Sequence, residues 1–567
     1  MKFLKATSIL IISVLVASCQ VANTPKALSK TDKFADSASA GYVPAKVKTT
    51  KNLIIMLTDG TSTSIFPVAR WYHRYMTDSL TWALNLDPYL CGLAQSRLSD
   101  AIIPDSAPAM SGFVTGVPSR VGNISIYPEP HPGQDVVPTD ANRAYQPAAT
   151  VLEGAKDMNK AIGVVATVIF PHATPGACTA HTASRGRYRD IAYQMASQNL
   201  SVCFGGGRNI LTPEMRQIIT GNGATLLEDD VNSFRNFNGD KLWAIFNDDS
   251  MDFEIDRDPA DEPSLSEMTV KALDILSKNK NGFCLMVEGS KVDYGAHSKD
   301  PIEAVTEFIE FDKAFGKALE FAKKDGNTTI VVMSDHGNSG ITLGDAHYQA
   351  YSSKGTDSMY FYMKNYRASS SKLSHLVKHC PQDQIPSVFK EWTGIDLKPI
   401  ELEGIKASLN KTESDYMKIS GSYNLNSVIC SILTSRTHIG FTSGNHTGED
   451  VFLAVYNPHN QRPTGIVTNT ALNGYMCMAL GMKDPLVNLT DREYVKSSEV
   501  FPDAETSVEE GEEYPTLVVK KNGKTLRIPA WHSVVYVDGK AVSTKYPSVW
   551  QKENKTFYIS KSLKEYL

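Results

Sequence analysis

Asn52-Leu53-Ile54-Ile55-Met56-Leu57 carries no charge and runs straight into Thr58-Asp59-Gly60. A continuous apolar run of this length marks a parallel strand covered on both faces, because a strand with one wet face alternates polar and apolar residues. Its terminal Asp59 stands where open α/β sheets place their ligands, at the carboxyl end of a strand. Similar runs recur at 161–169, 202–204, 283–287 and 329–333, with helical stretches such as 148–160 and 301–324 between them. Strands alternating with helices predict a three-layer α/β/α fold around a largely parallel central sheet.

The chain has 567 residues, 42% hydrophobic and 21% charged, which suits a globular protein with a large core and, by length, two to four domains. A formal net charge of −5 offers no basic footprint for a nucleic-acid partner. The first residues read as a targeting segment. Met1-Lys2 and Lys5 are a basic start, and the apolar run 9–16 is too short to span a bilayer. Val16-Ala17-Ser18-Cys19 resembles a bacterial lipobox, which implies a signal peptide over 1–18 and lipidation of Cys19. The mature protein is then expected in a bacterial cell envelope, held by its lipid rather than spanning the membrane. Residues 19–48, rich in Ser, Ala, Lys and Thr, read as its tether. The other seven of the eight cysteines show no CxxC pair or regular spacing, so neither a disulfide framework nor a thiolate zinc site is expected.

Asp105-Ser106-Ala107-Pro108-Ala109-Met110 reads as a loop entering a helix, with Pro108 tolerated in the first turn and Thr115-Gly116 as the stop. Ser106 then sits at the helix N-terminus, as its cap, where free N–H groups attract an anion. The stretch 117–147 reads as a surface loop. The triple glycine 205–207 lacks the G-x-G-x-x-G spacing and reads as a tight turn. Residues 340–440 carry short helical patterns and polar loops, expected as an insert that caps the 49–490 domain. Residues 471–482 read as its closing helix. Residues 491–514, with the acidic run 503–513, read as a solvated linker, and 515–567 as a small β module of hairpins turned at Asn522-Gly523 and Asp538-Gly539.

Six positions are metal donors of the hard or borderline type: Asp59, Asp293, His297, Asp335, His336 and His446. Asp293 and His297 are four apart and share a helix face. A set containing imidazole suits zinc, whereas Asp59, Thr174 and Glu288 offer oxygen alone and suit a harder ion such as Mg²⁺. The ordered set of Asp59-Gly60, Asp105-Ser106-Ala107, Ala173-Thr174-Pro175 with His181 and Ser184-Arg185, Glu288-Gly289-Ser290 with Asp293 and His297, Ser334-Asp335-His336, and His446-Thr447-Gly448 resembles the alkaline phosphatase family over roughly 50–485.

The resemblance implies hydrolysis of phosphate monoesters through a phosphoserine at Ser106. It implies two Zn²⁺ and one Mg²⁺: Asp293, His297 and His446 on the first zinc; Asp59, Asp335 and His336 on the second, which also touches Ser106; Asp59, Thr174 and Glu288 on magnesium. Arg185 would clamp the phosphate, with His172 and Tyr294 beside it. These last two depart from the better-known bacterial members and leave pH optimum and Mg²⁺ affinity open. Family members are often homodimers, which by analogy extends to this chain. A related phosphodiesterase or sulfatase, or a surface lipoprotein with purely structural metals, stays open as an alternative. Ser106 and Arg185 count against the last, since a structural zinc site needs neither.

Overall fold

The computed structural model describes residues 41–345 and 355–567. The expected signal peptide, Cys19 and the expected tether up to residue 40 lie outside the described residues. The end of the expected tether is fastened: Tyr42 and Thr464 exchange backbone hydrogen bonds of 2.7 and 2.9 Å.

Ten strands form the central sheet: β1 (Asn52–Thr58), β2 (Leu90–Gln95), β3 (Ala161–Ile169), β4 (Val202–Gly206), β5 (Thr225–Glu228), β6 (Leu242–Ile245), β7 (Phe283–Gly289), β8 (Thr328–Met333), β9 (Val451–Tyr456) and β10 (Gly465–Thr468). Their order is β10-β2-β9-β8-β1-β7-β3-β4-β6-β5. β1 lies between β8 and β7 and pairs parallel with both. β9 runs antiparallel to β8 and β2, while the other neighbours pair parallel.

The helices that frame this sheet are α1 (Ile65–Thr77), α2 (Ser106–Thr115), α3 (Val151–Asp157), α4 (Ala173–Thr179), α5 (Tyr188–Ser197), α6 (Leu265–Leu276), α7 (Val292–Ser298), α8 (Pro301–Asp325) and α9 (Asn469–Leu480). The apolar run of β1 explains the layering. Leu53, Ile55 and Leu57 join one core with Met110 and Phe113 of α2 and Leu472 of α9. Ile54 and Met56 join the opposite core with Phe66 of α1 and Phe308 of α8. Successive strand residues point to opposite faces, so a strand between two helical layers must be apolar throughout. α8 is cut from sequence by local chemistry: Asp300 caps it, Pro301 opens it, and Gly326 ends it at a φ of 68°. The triple-glycine turn is a close approach, since a Cβ on Gly206 would stand 2.0 Å from the Asp249 carbonyl oxygen.

Helices between Asp357 and Thr434 build the insert. Its base is pinned by antiparallel bridges, Thr342 to Gly440 and Leu343 to Ile439. No helix among the described residues is long and apolar enough to cross a membrane. The described cysteines are all free.

The acidic linker is corrected by the structure. Glu505–Glu509 is a strand, β11, at the edge of a five-stranded antiparallel sheet with β12 (Thr516–Lys521), β13 (Lys524–Pro529), β14 (Val534–Val537) and β15 (Lys540–Ser543). Every residue of β11 is exposed, and an edge strand tolerates charge because its outer rim meets water. A second small sheet joins Val495–Lys496, β17 (Thr556–Ile559) and β16 (Val549–Gln551). Both pack on the α2–α5 side, where Val519, Trp531 and Tyr558 share a core with Ile191 and Tyr193 of α5.

Phe308 is fully buried and meets Phe66 at 5.0 Å between ring centroids. Phe308→Ala should cost about 3–5 kcal/mol, read as a lower thermal unfolding midpoint. An unchanged midpoint would contradict the two-core description.

Candidate active site

The carboxyl ends of β1, β7 and β8 deliver Asp59, Glu288 and the pair Asp335-His336 to one edge of the sheet. α7 adds Asp293 and His297 from a single helical turn. A two-residue bridge sets His446-Thr447 against Gly337-Asn338, which draws a distant loop onto the end of β8. Close packing requires Gly60: its φ is 59°, and a Cβ there would lie 2.2 Å from Asp293 Oδ1.

Three groups of possible metal ligands result. In the first, His297 Nε2 is 3.4 Å from Asp293 Oδ2, and His446 Nε2 is 3.1 Å from His297 Nε2. In the second, His336 Nε2 is 3.5 Å from Asp59 Oδ1 and 3.4 Å from Asp335 Oδ2. The third brings together Asp59, His172 and Glu288. The rings of His336 and His446 stack with centroids 3.7 Å apart, so the first two groups are neighbours.

Backbone carbonyls orient the imidazoles. Nδ1 of His297 meets Gly444 O at 2.8 Å, Nδ1 of His446 meets Pro104 O at 2.8 Å, and Nδ1 of His336 meets Gly337 O at 3.2 Å. A carbonyl only accepts, so the proton is assigned to Nδ1 and the Nε2 lone pair faces the cluster, as ligand histidines require.

The charge balance is what tests these residues against metal ions. Asp59, Glu288 and Asp335 are at most 1% exposed. Burial, then the charges of Asp335, Asp293 and Glu288, holds the Asp59 carboxyl well above its usual range. Burial pushes Glu288 up to about 8 and lowers His336. Both Glu288 carboxylate oxygens, Asp335 Oδ2 and the Thr174 hydroxyl are buried without hydrogen-bond partners. Buried polar atoms go unpaired rarely, and here they converge with acidic donors of the type that hold divalent cations. The donor sets therefore fit metal ions: imidazole with carboxylate in two groups, chiefly oxygen in the third.

Ser106 corrects one expectation. Asp105, with extended backbone, occupies the cap position, and Ser106 is the first helical residue with no capping bond. Its hydroxyl is freed for the cluster, 3.3 Å from Asp59 Oδ1 and 3.1 Å from His336 Nε2. Arg185 pairs with Asp105 and lies with Nη2 3.4 Å from His172 Nε2. Burial, then the Arg185 charge, lowers His172 to about 3. His172, expected beside the phosphate, also belongs to the third ligand group. Tyr294 presents its ring to His172 edge-on at 6.5 Å, and burial raises its hydroxyl to about 12. His181 lies elsewhere, fully buried, 3.1 Å from Glu153 and 2.7 Å from Ser125 O.

Sequence reasoning missed three supporting residues. Asn338 Nδ2 donates to Asp293 Oδ1 at 2.6 Å. Glu449 Oε1 accepts from Ser62 at 2.6 Å and Thr447 at 2.8 Å, tying the His446 loop to the turn after β1. Asp105 holds Arg185. Asn338 and Glu449 lie two and three residues beyond named ligands, but only the fold shows which way they face.

Buried carboxylates and imidazoles around the Ser106 hydroxyl, at the carboxyl edge of a three-layer sheet, are the arrangement of a metal-dependent hydrolase. Residues 50–482 match the family model for alkaline phosphatase. The chain belongs to the alkaline phosphatase family, whose general function is metal-dependent hydrolysis of phosphate monoesters. Alkaline phosphatase 3 of Bacillus subtilis (strain 168) is 29% identical over 436 residues, 74% of this chain and 87% of that protein. The fold is similar to Thermus thermophilus alkaline phosphatase, with a TM-score of 0.68 at 22% identity over 79% of this chain and 96% of the other. It is also similar to a cold-active alkaline phosphatase from the psychrophile Shewanella sp., with a TM-score of 0.66 at 24% identity over 76% and 99%.

Burial of Glu288 ties the stability of the metal-free fold to pH. A carboxyl whose folded pKa is raised stabilises the fold only while protonated, so its contribution falls as pH rises from about 4.5 through about 8. In chelated protein, Glu288→Gln should match wild type near pH 5 and exceed its thermal midpoint increasingly towards pH 8. A constant or reversed difference would contradict the burial argument.

Proposed function

We propose that this enzyme hydrolyses phosphate monoesters by transferring the phosphoryl group to Ser106 and then to water. The observation that carries the proposal is the Ser106 hydroxyl, 3% exposed at a helix start and within 3.3 Å of both Asp59 and His336. Asp293, His297 and His446 would hold one zinc, and Asp59, Asp335 and His336 a second beside Ser106. Asp59, Thr174 and Glu288 would hold magnesium, with His172 adjoining. Bound there, the ions supply positive charge that favours the serine alkoxide and offsets charge on the attacking and departing oxygens.

The chain's own residues do the rest. Ser106 Oγ forms the bond to phosphorus as the ester oxygen leaves. The Arg185 guanidinium, planar and charged across the working pH range, meets two phosphoryl oxygens. The N–H groups at the start of α2 face the same anion. Asp105 holds Arg185 by its edge and so limits its rotation. Water then releases inorganic phosphate and restores Ser106. With Cys19 lipidated, the enzyme would work at the cell envelope on monoesters outside the cytoplasm; the basic and apolar start of the chain supports that location.

Labelled inorganic phosphate at low pH should yield an acid-stable phosphoserine in the peptide containing Ser106. Ser106→Ala should abolish it and lower kcat on an aryl phosphate by at least about a thousandfold. Near wild-type turnover by Ser106→Ala would refute the serine route.

A further inference from the structure

The C-terminal sheets lie beyond the matched family residues, which end at 482. They nevertheless grip the segment that carries Arg185. α5 begins three residues after Arg185, and its start and middle are held by the C-terminal module. Arg187 forms a two-pronged ion pair with Glu553, in the turn between β16 and β17, one contact being 3.3 Å. Arg189 pairs with Glu513. Midway along α5, the Tyr193 ring lies 5.5 Å from Tyr514 and stacks on Trp531 at 6.4 Å. Upstream, Gln551 Nε2 donates to His181 O at 3.5 Å. Residues 181–193 are thus held by the C-terminal module at His181, Arg187, Arg189 and Tyr193.

The same segment is also held by the catalytic core. Arg185 N donates to Gly122 O at 2.7 Å, and its guanidinium pairs with Asp105. Tyr188, between the two, stacks on His172 at 6.4 Å with planes 21° apart. A bidentate guanidinium is useful only in one orientation, so what holds its backbone controls how well it binds phosphate.

We propose that the C-terminal β module is a positioning element for Arg185, acting mainly through the Glu553–Arg187 pair. Glu553 and Arg187 are positioning residues, since neither touches the phosphoryl group. The inference rests on Arg185 as the phosphate clamp, and the test separates the two.

The probe is inorganic phosphate, as a competitive inhibitor of aryl phosphate hydrolysis by the metal-loaded full chain. Both side chains of the pair are about a quarter exposed, so its removal is worth no more than about a fivefold change. Glu553→Gln should raise the phosphate inhibition constant about three- to fivefold at unchanged zinc content. The charge-swapped double variant, Arg187→Glu with Glu553→Arg, should restore most of the loss. In an Arg185→Ala background, Glu553→Gln should have no further effect, because coupled residues do not add. An unchanged constant in Glu553→Gln, or an equal loss with and without Arg185, would overturn the proposal. An Arg185→Ala variant that binds phosphate as wild type does would instead remove the clamp itself, and this inference with it.

Discussion

Four carboxylates, Asp59, Glu288, Asp293 and Asp335, are buried within one cluster and repel one another. Everything around them follows from that constraint. Burial and the charges of its neighbours favour protonation of Asp59, and burial favours it for Glu288. Divalent ions reverse the balance, because they satisfy the orphaned oxygens and favour the ionised form of Asp59 and Glu288. The fold therefore stores a cation requirement in the same place where it exposes Ser106.

The cluster is assembled from rigid parts. Asp59, Glu288 and Asp335 come from three adjacent parallel strands, so their spacing is that of the sheet. Asp293 and His297 share one turn of α7. His446 is brought in by a two-residue bridge and held by Glu449, Thr447 and Ser62. Arg185 lies on the irregular segment before α5, which the catalytic core and the C-terminal module both anchor.

Much of this was legible in the sequence for a physical reason. A strand between two helical layers must be apolar at every position, so β1, β3, β7 and β8 announce themselves, and their ends locate Asp59, Glu288 and Asp335. The donors on α7 follow from helical spacing. What could not be read was whatever depends on direction or on distant packing. Ser106 looks like a cap because serine caps helices; Asp105 takes that position, and the Ser106 hydroxyl turns to the cluster instead. His172 has no local pattern that separates a phosphate contact from a metal ligand. The acidic run misled because β11 lies on an edge, where Glu505 and Glu509 satisfy strand geometry without burial. The grip of Glu553 on Arg187 spans 366 residues, and no periodicity reports such a contact.

The most direct measurement is metal content of the purified enzyme after dialysis, by elemental mass spectrometry. The cluster described here should retain two zinc ions and one magnesium per chain. Substitution of Asp335 should remove zinc from the group that faces Ser106 while leaving the other zinc bound. Protein that is folded and hydrolyses phosphate monoesters, yet holds less than one divalent ion per chain, would contradict the account at its centre.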